Sequence, residues 1–453
     1  MTRLQCFLLS TLSLVLKGSL AARPLSRDRH GFYHSEYVIP FSYLNFSQNA
    51  TSRPVIMALM PRKEDSAFHA IHLALSDVNK LRNIHLEFVY TVTDCQAGSS
   101  TKQLLDMRNS VKLCWILIGC GCETLTGDIS EISASWSISQ ITYSDTHPSL
   151  SERQKYTNIF RVVPSAFQFN NARLSILRKF KWETFATLFQ DNDFDKSFSI
   201  SSSQHSLANT NLTTLLRSNY YTVSRFISDP RTPIKEIREK GKRIILANFD
   251  DSLKARVFCD AYTLGMAGDT YVWILVDSQF QNTHSSTSDV WASDANVKCT
   301  KEQIFKAAKN YLVTNFVELD NSNRKGVSFK SATEYKKEYQ NSLRAEASIK
   351  LNNFHGYAYD SIWAIGLLWQ KIRARDDFSD LLANESKLVK VVSQELPYTD
   401  FFGVTGTVRF SNGDRQGLIA VSQFADGSLK TVGVYKAIDD ELLTDGFPEF
   451  TWG

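Results

Sequence analysis

The chain has 453 residues, 43% apolar and 22% charged, with a formal net charge of +4. That length makes room for two or three ordinary domains, and that balance excludes a disordered chain. The charge is too small to predict nucleic acid or an acidic membrane surface as partner.

The first residues, MTRLQCFLLSTLSLVLKGSLAARP, set Arg3 ahead of a leucine-rich run from Leu4 to Leu16, with small residues at Ser19 and Ala21. A charged head, a short apolar stretch and a small-residue site predict a secretory signal peptide over 1–21, cleaved near Ala21 or Ala22. The run is shorter than the roughly 20 residues a membrane span needs, and no later stretch is long and apolar enough. The expected place is the secretory pathway and the extracellular face of the plasma membrane, or the secreted fraction if the chain is complete as given. Residues 22–50 read as a loosely held N-terminal arm. N-x-S/T sequons at Asn45, Asn49, Asn211 and Asn384 predict glycosylation.

Beyond the signal lie six cysteines: Cys95, Cys114, Cys120, Cys122, Cys259 and Cys299. An even count in a secreted chain predicts disulfides. The GCGC stretch at 119–122 brings only two thiols together, without a histidine pair, so zinc is not expected.

Apolar bursts recur along the chain. HLEFVYTV (85–92), CWILIGC (114–120), TFATLFQ (184–190), RIILANF (243–249) and YVWILV (271–276) read as buried parallel strands. Between them, 67–81 sets Ile71, Leu75 and Val78 on one helical face, and 171–180 does the same with Leu174, Ile176, Leu177 and Phe180. The alternation predicts α/β architecture, two doubly wound, mostly parallel sheets, the first over about 50–165 and the second over about 166–315. SFSISSSQHS (197–206) reads as a surface stretch, and KEIREKGKR (235–243) as a solvated helix end with its loop. Long helices return from about 330, and 403–424 reads as strand, turn and strand about Asn412-Gly413. That order predicts two lobes joined by several crossings, with a cleft at the carboxyl ends of the strands.

Catalytic signatures are missing: there is no GxSxG elbow, no phosphate loop, no HExxH and no CxxC. Neither an enzyme nor a cofactor or metal site is expected. Asp250-Asp251 heads a helix and reads as a cap. FHGYAYDSIW (354–363) concentrates polar and aromatic groups, yet Tyr359, Ile362, Trp363, Gly366 and Trp369 fall on one helical face. Tyr359 and Trp363 read as core anchors, and His355 as a structural hydrogen-bonder in the loop before the helix.

These motifs carry a resemblance. FHGYAYDSIW, FFGVTGTVRFSNGDRQG (401–417), FRVVPS (160–165), RIILANFDDSLKARVFCDAY (243–262) and KFKWETFATLFQD (179–191) resemble the extracellular domain of the metabotropic (type B) GABA receptors, subunit 2 in particular. The resemblance covers about 50–445. It implies a bilobed, periplasmic-binding-protein type I fold, a Venus flytrap with a three-crossing hinge, placed in a class C G-protein-coupled receptor. Lobe 1 is then expected over 51–165 plus 320–405, and lobe 2 over 166–319 plus 406–445. Residues 446–453 would begin a linker toward a membrane domain that this chain does not include.

The resemblance also implies disulfides Cys95–Cys122 and Cys259–Cys299. A third bond usual in subunit 2 would fall at Arg231 and Asp260, which carry no thiol. Cys114 and Cys120 are extra. They sit at the two ends of one strand, which argues against their pairing with each other, and both are expected as buried free thiols.

In this receptor family one subunit type binds the transmitter and the other serves as its partner. The positions of the binding type's ligand groups, two serines, a histidine, a glutamate and two aromatics, fall here on Glu123, Thr146, Val163, Phe354, Asp250 and Ser278. Only the Thr146 hydroxyl survives. Glu123 would face the ligand carboxylate, and like charges about 4 Å apart repel by roughly 1–4 kcal/mol. Each lost charge-assisted hydrogen bond removes about 1.5–3 kcal/mol more. The chain is therefore expected not to bind GABA, and to heterodimerise with a GABA-binding subunit through lobe-1 helices at about 101–112 and 123–136. A family interface tyrosine becomes Leu105. G protein would be reached only through the membrane domain, by an allosteric repacking of the interface. The competing readings are a soluble or decoy solute-binding protein with a diverged cleft, and a two-lobed glycosyltransferase, which the missing phosphate signatures disfavour.

Overall fold

The computed structural model describes residues 26–27, 33–34, 38–40, 55–61, 65–111, 113–122, 125–191, 201–216, 221–266, 268, 270–276, 297–343, 352–425 and 427–452. The expected signal peptide, the sequons at Asn45 and Asn49, and the cleft positions Glu123 and Ser278 lie outside them.

Strands β1 (Ser26–Arg27) and β2 (Tyr33–His34) pair antiparallel. Strand β3 (Val38–Pro40) then runs parallel to residues 88–90 of a later strand, so this piece of the expected arm is the edge of a sheet, with Val38 fully buried. An edge is where a proline-ended strand is tolerated. The first lobe continues as β4 (Val55–Pro61), α1 (Asp65–Arg82), β5 (Glu87–Thr93), α2 (Ala97–Ser110), β6 (Cys114–Gly119), α3 (Thr126–Ser135), β7 (Ser139–Thr142) and β8 (Ile159–Pro164). The chain crosses into the second lobe as α4 (Phe167–Phe180), β9 (Phe185–Gln190), α5 (Ser201–Leu216), β10 (Tyr221–Phe226), α6 (Arg231–Glu239), β11 (Ile244–Asn248), α7 (Lys254–Thr263), β12 (Val272–Val276), α8 (Lys301–Ala308) and β13 (Leu312–Phe316).

It returns with α9 (Ala332–Leu343), α10 (His355–Arg373), α11 (Phe378–Ala383), α12 (Glu385–Glu395), β14 (Asp400–Gly403), β15 (Gly406–Ser411) and β16 (Asp414–Arg415). The last strands are β17 (Leu418–Ala425), β18 (Ser428–Lys436) and β19 (Glu441–Leu443). The first sheet has the order β14-β15-β16-β8-β7-β6-β4-β5-β3, and the second β10-β9-β11-β12-β13-β17-β18-β19. Pairing is parallel from β16 through β8 to β3 and from β10 to β13, and antiparallel at the ends formed by late strands. This is the bilobed α/β architecture expected from the alternation of apolar bursts and helical faces.

One expectation changes. The lobe boundary placed between 405 and 406 falls inside a hairpin, because Gly403 pairs with Gly406 and β16 pairs with β8 of the first sheet. The third crossing is at 416–417, just before the apolar run that starts at Leu418 enters the second sheet. Asn412 and Gly413 are the expected two-residue turn, with φ of 50° and 76°, the left-handed pair that an Asn-Gly hairpin loop requires. The serine-rich stretch expected at the surface begins outside the described residues, and from Ser201 it is part of helix α5.

The first core is built on α1 and α10. Tyr359, Ile362, Trp363, Ile365 and Trp369 of α10 are buried with Ile71, Leu75 and Val78 of α1. The two helices touch so closely that a Cβ on Gly366 would lie 2.4 Å from Val78 Cγ1, so a glycine is needed there. Tyr359 and Trp363 are thus the anchors their spacing predicts. The second sheet has a core on each face. One contains Ile245, Ala247, Phe258 and Trp273, the other Ile176, Leu177, Leu246 and Ile274.

Candidate functional site

The two most conspicuous motifs of the sequence meet beside the crossings. Asp360 of the HGYAYD stretch is fully buried in α10 and accepts hydrogen bonds from Val404 N–H (2.9 Å), Thr405 N–H (3.0 Å) and the Thr405 hydroxyl (2.5 Å). Arg415 of the GDRQG stretch is also fully buried. It donates to the Thr405 hydroxyl (2.6 Å) and carbonyl (2.8 Å), to Thr407 O (3.0 Å) and to Val162 O (3.1 Å), and lies over the Tyr357 ring. Burial pushes the Asp360 carboxyl up, and Arg415 offsets only part of that. Asp414 receives Arg161 Nε (2.7 Å), Arg153 Nη2 (2.6 Å) and the Ser151 hydroxyl (2.7 Å). Burial alone would raise its carboxyl, but the two guanidinium groups hold it below the usual carboxylate range. The polar residues of these motifs therefore clamp the short strand β16 to β8. Their hydrogen-bonding capacity is taken up by structure.

His355 is the first residue of α10 and not a loop residue, with Phe354 at the N-cap position. Its Nδ1 lies 2.9 Å from the Tyr335 hydroxyl and its Nε2 2.9 Å from Glu318 Oε1, and its ring stacks on Tyr339. That is a structural role.

The expected cleft positions are built as follows. Thr146 follows β7 in a loop held by backbone and side-chain bonds. Its carbonyl accepts Ala166 N–H (3.0 Å), and Arg161 Nη1 reaches the neighbouring His147 carbonyl (2.7 Å). Val163 of β8 is fully buried, at 0% solvent exposure. Phe354 is 3% exposed, with its ring 6.3 Å from Phe316 and 6.2 Å from Tyr357. Val163 and Phe354 thus belong to one apolar cluster of the first lobe. Asp250 follows β11 in the second lobe, where Gln190 Oε1 accepts its backbone N–H at 3.0 Å. It stands at the N-cap position of a short 3-10 turn, Asp251–Leu253, without a side-chain cap bond, and Asp251 pairs instead with Lys254 at 2.6 Å.

Around these positions, Cys95 is bonded to Cys122 with Cα atoms 5.7 Å apart, and Cys259 to Cys299 at 5.5 Å. Cys114 and Cys120 are buried free thiols, each pushed up to about 12 by burial and so unsuited to nucleophilic work. On α2, Ser100, Leu104 and Met107 face inward, and Leu105 is 42% exposed on the other side. Asn384 is exposed at the N-cap of α12, whereas the Asn211 carboxamide accepts a bond from Asn170 Nδ2 at 2.8 Å.

Two of the cavities among the described residues bear on the site. One of about 970 Å³ lies on the second lobe among Leu174, Trp182, Leu215 and Tyr435, and one of about 500 Å³ lies at the crossings among Asp320, Arg409, Gln416 and Lys436. Neither takes in Thr146, Val163, Asp250 or Phe354. Among the described residues, no helix is long and apolar enough to cross a membrane. Sequence reasoning missed the Asp360–Thr405–Arg415 and Asp414–Arg161 links, because each joins residues far apart in the chain with no local pattern to announce them.

Comparison with known proteins agrees with this architecture. The family model described as "Receptor family ligand binding region" matches residues 66–426. The chain is 29% identical over 412 residues to gamma-aminobutyric acid type B receptor subunit 2 of Homo sapiens, covering 85% of this chain and 42% of that protein. It is 30% identical over 408 residues to subunit 2 of Mus musculus, with the same coverage. To subunit 1 of Mus musculus it is 26% identical over 385 residues, covering 82% of this chain and 38% of the relative. The chain therefore spans about 42% of the length of the subunit 2 relatives.

Proposed function

The chain belongs to the family of receptor ligand-binding regions, and from that premise we propose that it is the extracellular domain of a type B GABA receptor subunit of the kind that does not bind GABA. It heterodimerises with a GABA-binding subunit and takes part in activation of a G-protein-coupled receptor. The similarity to both subunit types over more than four fifths of the chain supports the receptor class.

One observation carries the finer reading. At the positions where the binding type presents a histidine and a glutamate, this chain has Val163 and Phe354, and both side chains are locked in the first-lobe core at 0% and 3% exposure. A zwitterion needs a donor for its carboxylate and a counter-charge for its ammonium, and neither residue supplies one. With the cleft so furnished, lateral assembly is the remaining role. The first-lobe face of α2 and α3, with Leu105 exposed on it, is the proposed contact. An exposed leucine contributes apolar burial without the hydroxyl of a tyrosine.

The test is co-expression of this chain with the ectodomain of a GABA-binding type B subunit, read by light scattering after size exclusion. The reading expects a one-to-one complex that weakens when Leu105 is changed to Asp. Separate monomers at every concentration tried would contradict it.

A further inference from the structure

Three buried arginines invite comparison. Arg161 is paired with Asp414, and Arg415 is surrounded by carbonyls, a hydroxyl and the field of Asp360. Arg173 differs. It projects from α4 against the second sheet, is 0% exposed, and has no carboxylate partner among the described residues. Its Nη2 donates to Asn170 Oδ1, its Nη1 reaches Ala247 O only at 3.5 Å, and its Nε–H meets no acceptor. Burial, with no charge opposing it, lowers the guanidinium to about 9.

The same face of the sheet gathers other donors without acceptors. Leu246 of β11 packs with Ile176 and Leu177 of α4. Asn248, two residues further along the strand, points to that same side. Asn248 is 2% exposed and its Nδ2 has no acceptor. Thr187 of β9 pairs in register with Leu246, is 0% exposed, and its hydroxyl has no partner. Orphan acceptors also occur on these helices among the described residues, Asn209 Oδ1 on α5 and Gln168 Oε1 on α4. A buried cation with no counter-charge is among the most costly arrangements in a protein core, and orphan donors beside it add to the cost.

We propose that Arg173, Asn248 and Thr187 form a buried site for a small monovalent anion of chloride size, held between α4 and the carboxyl-terminal half of β11. One guanidinium balances one negative charge, which disfavours sulfate or phosphate. Complete burial excludes the carboxylate of a larger ligand. The site is independent of what the interlobe cleft binds.

The experiment compares thermal unfolding in sodium chloride and sodium gluconate at equal ionic strength. The expected result is a saturable rise of the midpoint with chloride, by about 2–5 °C at concentrations well above the dissociation constant. R173M keeps the volume, removes the charge, and is expected to unfold at the same temperature in both salts. Equal midpoints for the parent chain in the two salts, or an equal chloride effect in R173M, would overturn the proposal. If R173M does not fold, a bromide soak of parent crystals decides: an anomalous peak beside Arg173 Nε supports the site, and its absence, as for a site holding only water, overturns it.

Discussion

Arg231 Nη1 lies 3.0 Å from Asp260 Oδ1, at the two positions where the resemblance to subunit 2 puts a third disulfide. The residues that begin α6 and sit within α7 are thus still joined, by an ion pair and by a second bond from Arg231 to the Thr263 hydroxyl at 2.8 Å. The substitute is weak. The Arg231 side chain is 51% exposed, and burial raises the Asp260 carboxyl by more than the arginine recovers. Pairs of this kind contribute about 0–1 kcal/mol.

Replacing both residues with cysteine is therefore expected to stabilise the chain. The variant R231C/D260C should form the bond, lose two hydrogens by mass spectrometry, and gain about 3 kcal/mol in urea unfolding, from the entropy a cross-link of this loop length removes from the unfolded chain. Two unreacted thiols, or a lower unfolding midpoint, would show that the two helices are not placed as described.

The second prediction concerns Asp414. It is the shared partner of Arg153 and the fully buried Arg161. The variant D414N leaves Arg161 buried without its counter-charge, which costs about 3–5 kcal/mol. Urea denaturation followed by circular dichroism measures this. A loss under about 1 kcal/mol, the range of a surface pair, would mean that the cluster does not clamp β16 to β8.

The third is a pH dependence. His69 and His72 of α1 are 3% and 5% exposed, and burial, followed by their mutual repulsion for His69, lowers both to about 4 from 6.5. The folded state then binds fewer protons than the unfolded state between about pH 4 and 6.5. Their contribution is complete above about pH 6.5 and is lost as the pH falls toward 4. Replacing both by glutamine should flatten the stability profile in that window by about 1–3 kcal/mol. An unchanged slope between pH 6.5 and 4.5 would contradict the burial of the pair.

Much of the fold is legible in the sequence where signals are local. HLEFVYTV and CWILIGC become β5 and β6 because an all-apolar, β-rich run suits a strand covered on both faces. The α10 stripe is legible because its period is helical and its anchors are large. Strand β8 is harder to read, since the fully buried Arg161 interrupts its apolar run and is balanced only by Asp414, 253 residues away. The third crossing is misplaced for the same reason: Asp414 and Arg415 look like turn residues until their partners in the first lobe are known. The positions expected at the cleft come from the family resemblance alone, and of these the structure shows Val163 and Phe354 turned into the core. Their consequence for a ligand rests on chemistry that no local pattern displays.

On the proposed reading, this chain does not bind GABA. Isothermal titration of GABA into the purified chain, alone and at millimolar ligand, tests it most directly. The account predicts heats indistinguishable from dilution, and a saturable signal only when a GABA-binding subunit is present. Saturable binding to the chain by itself would contradict it.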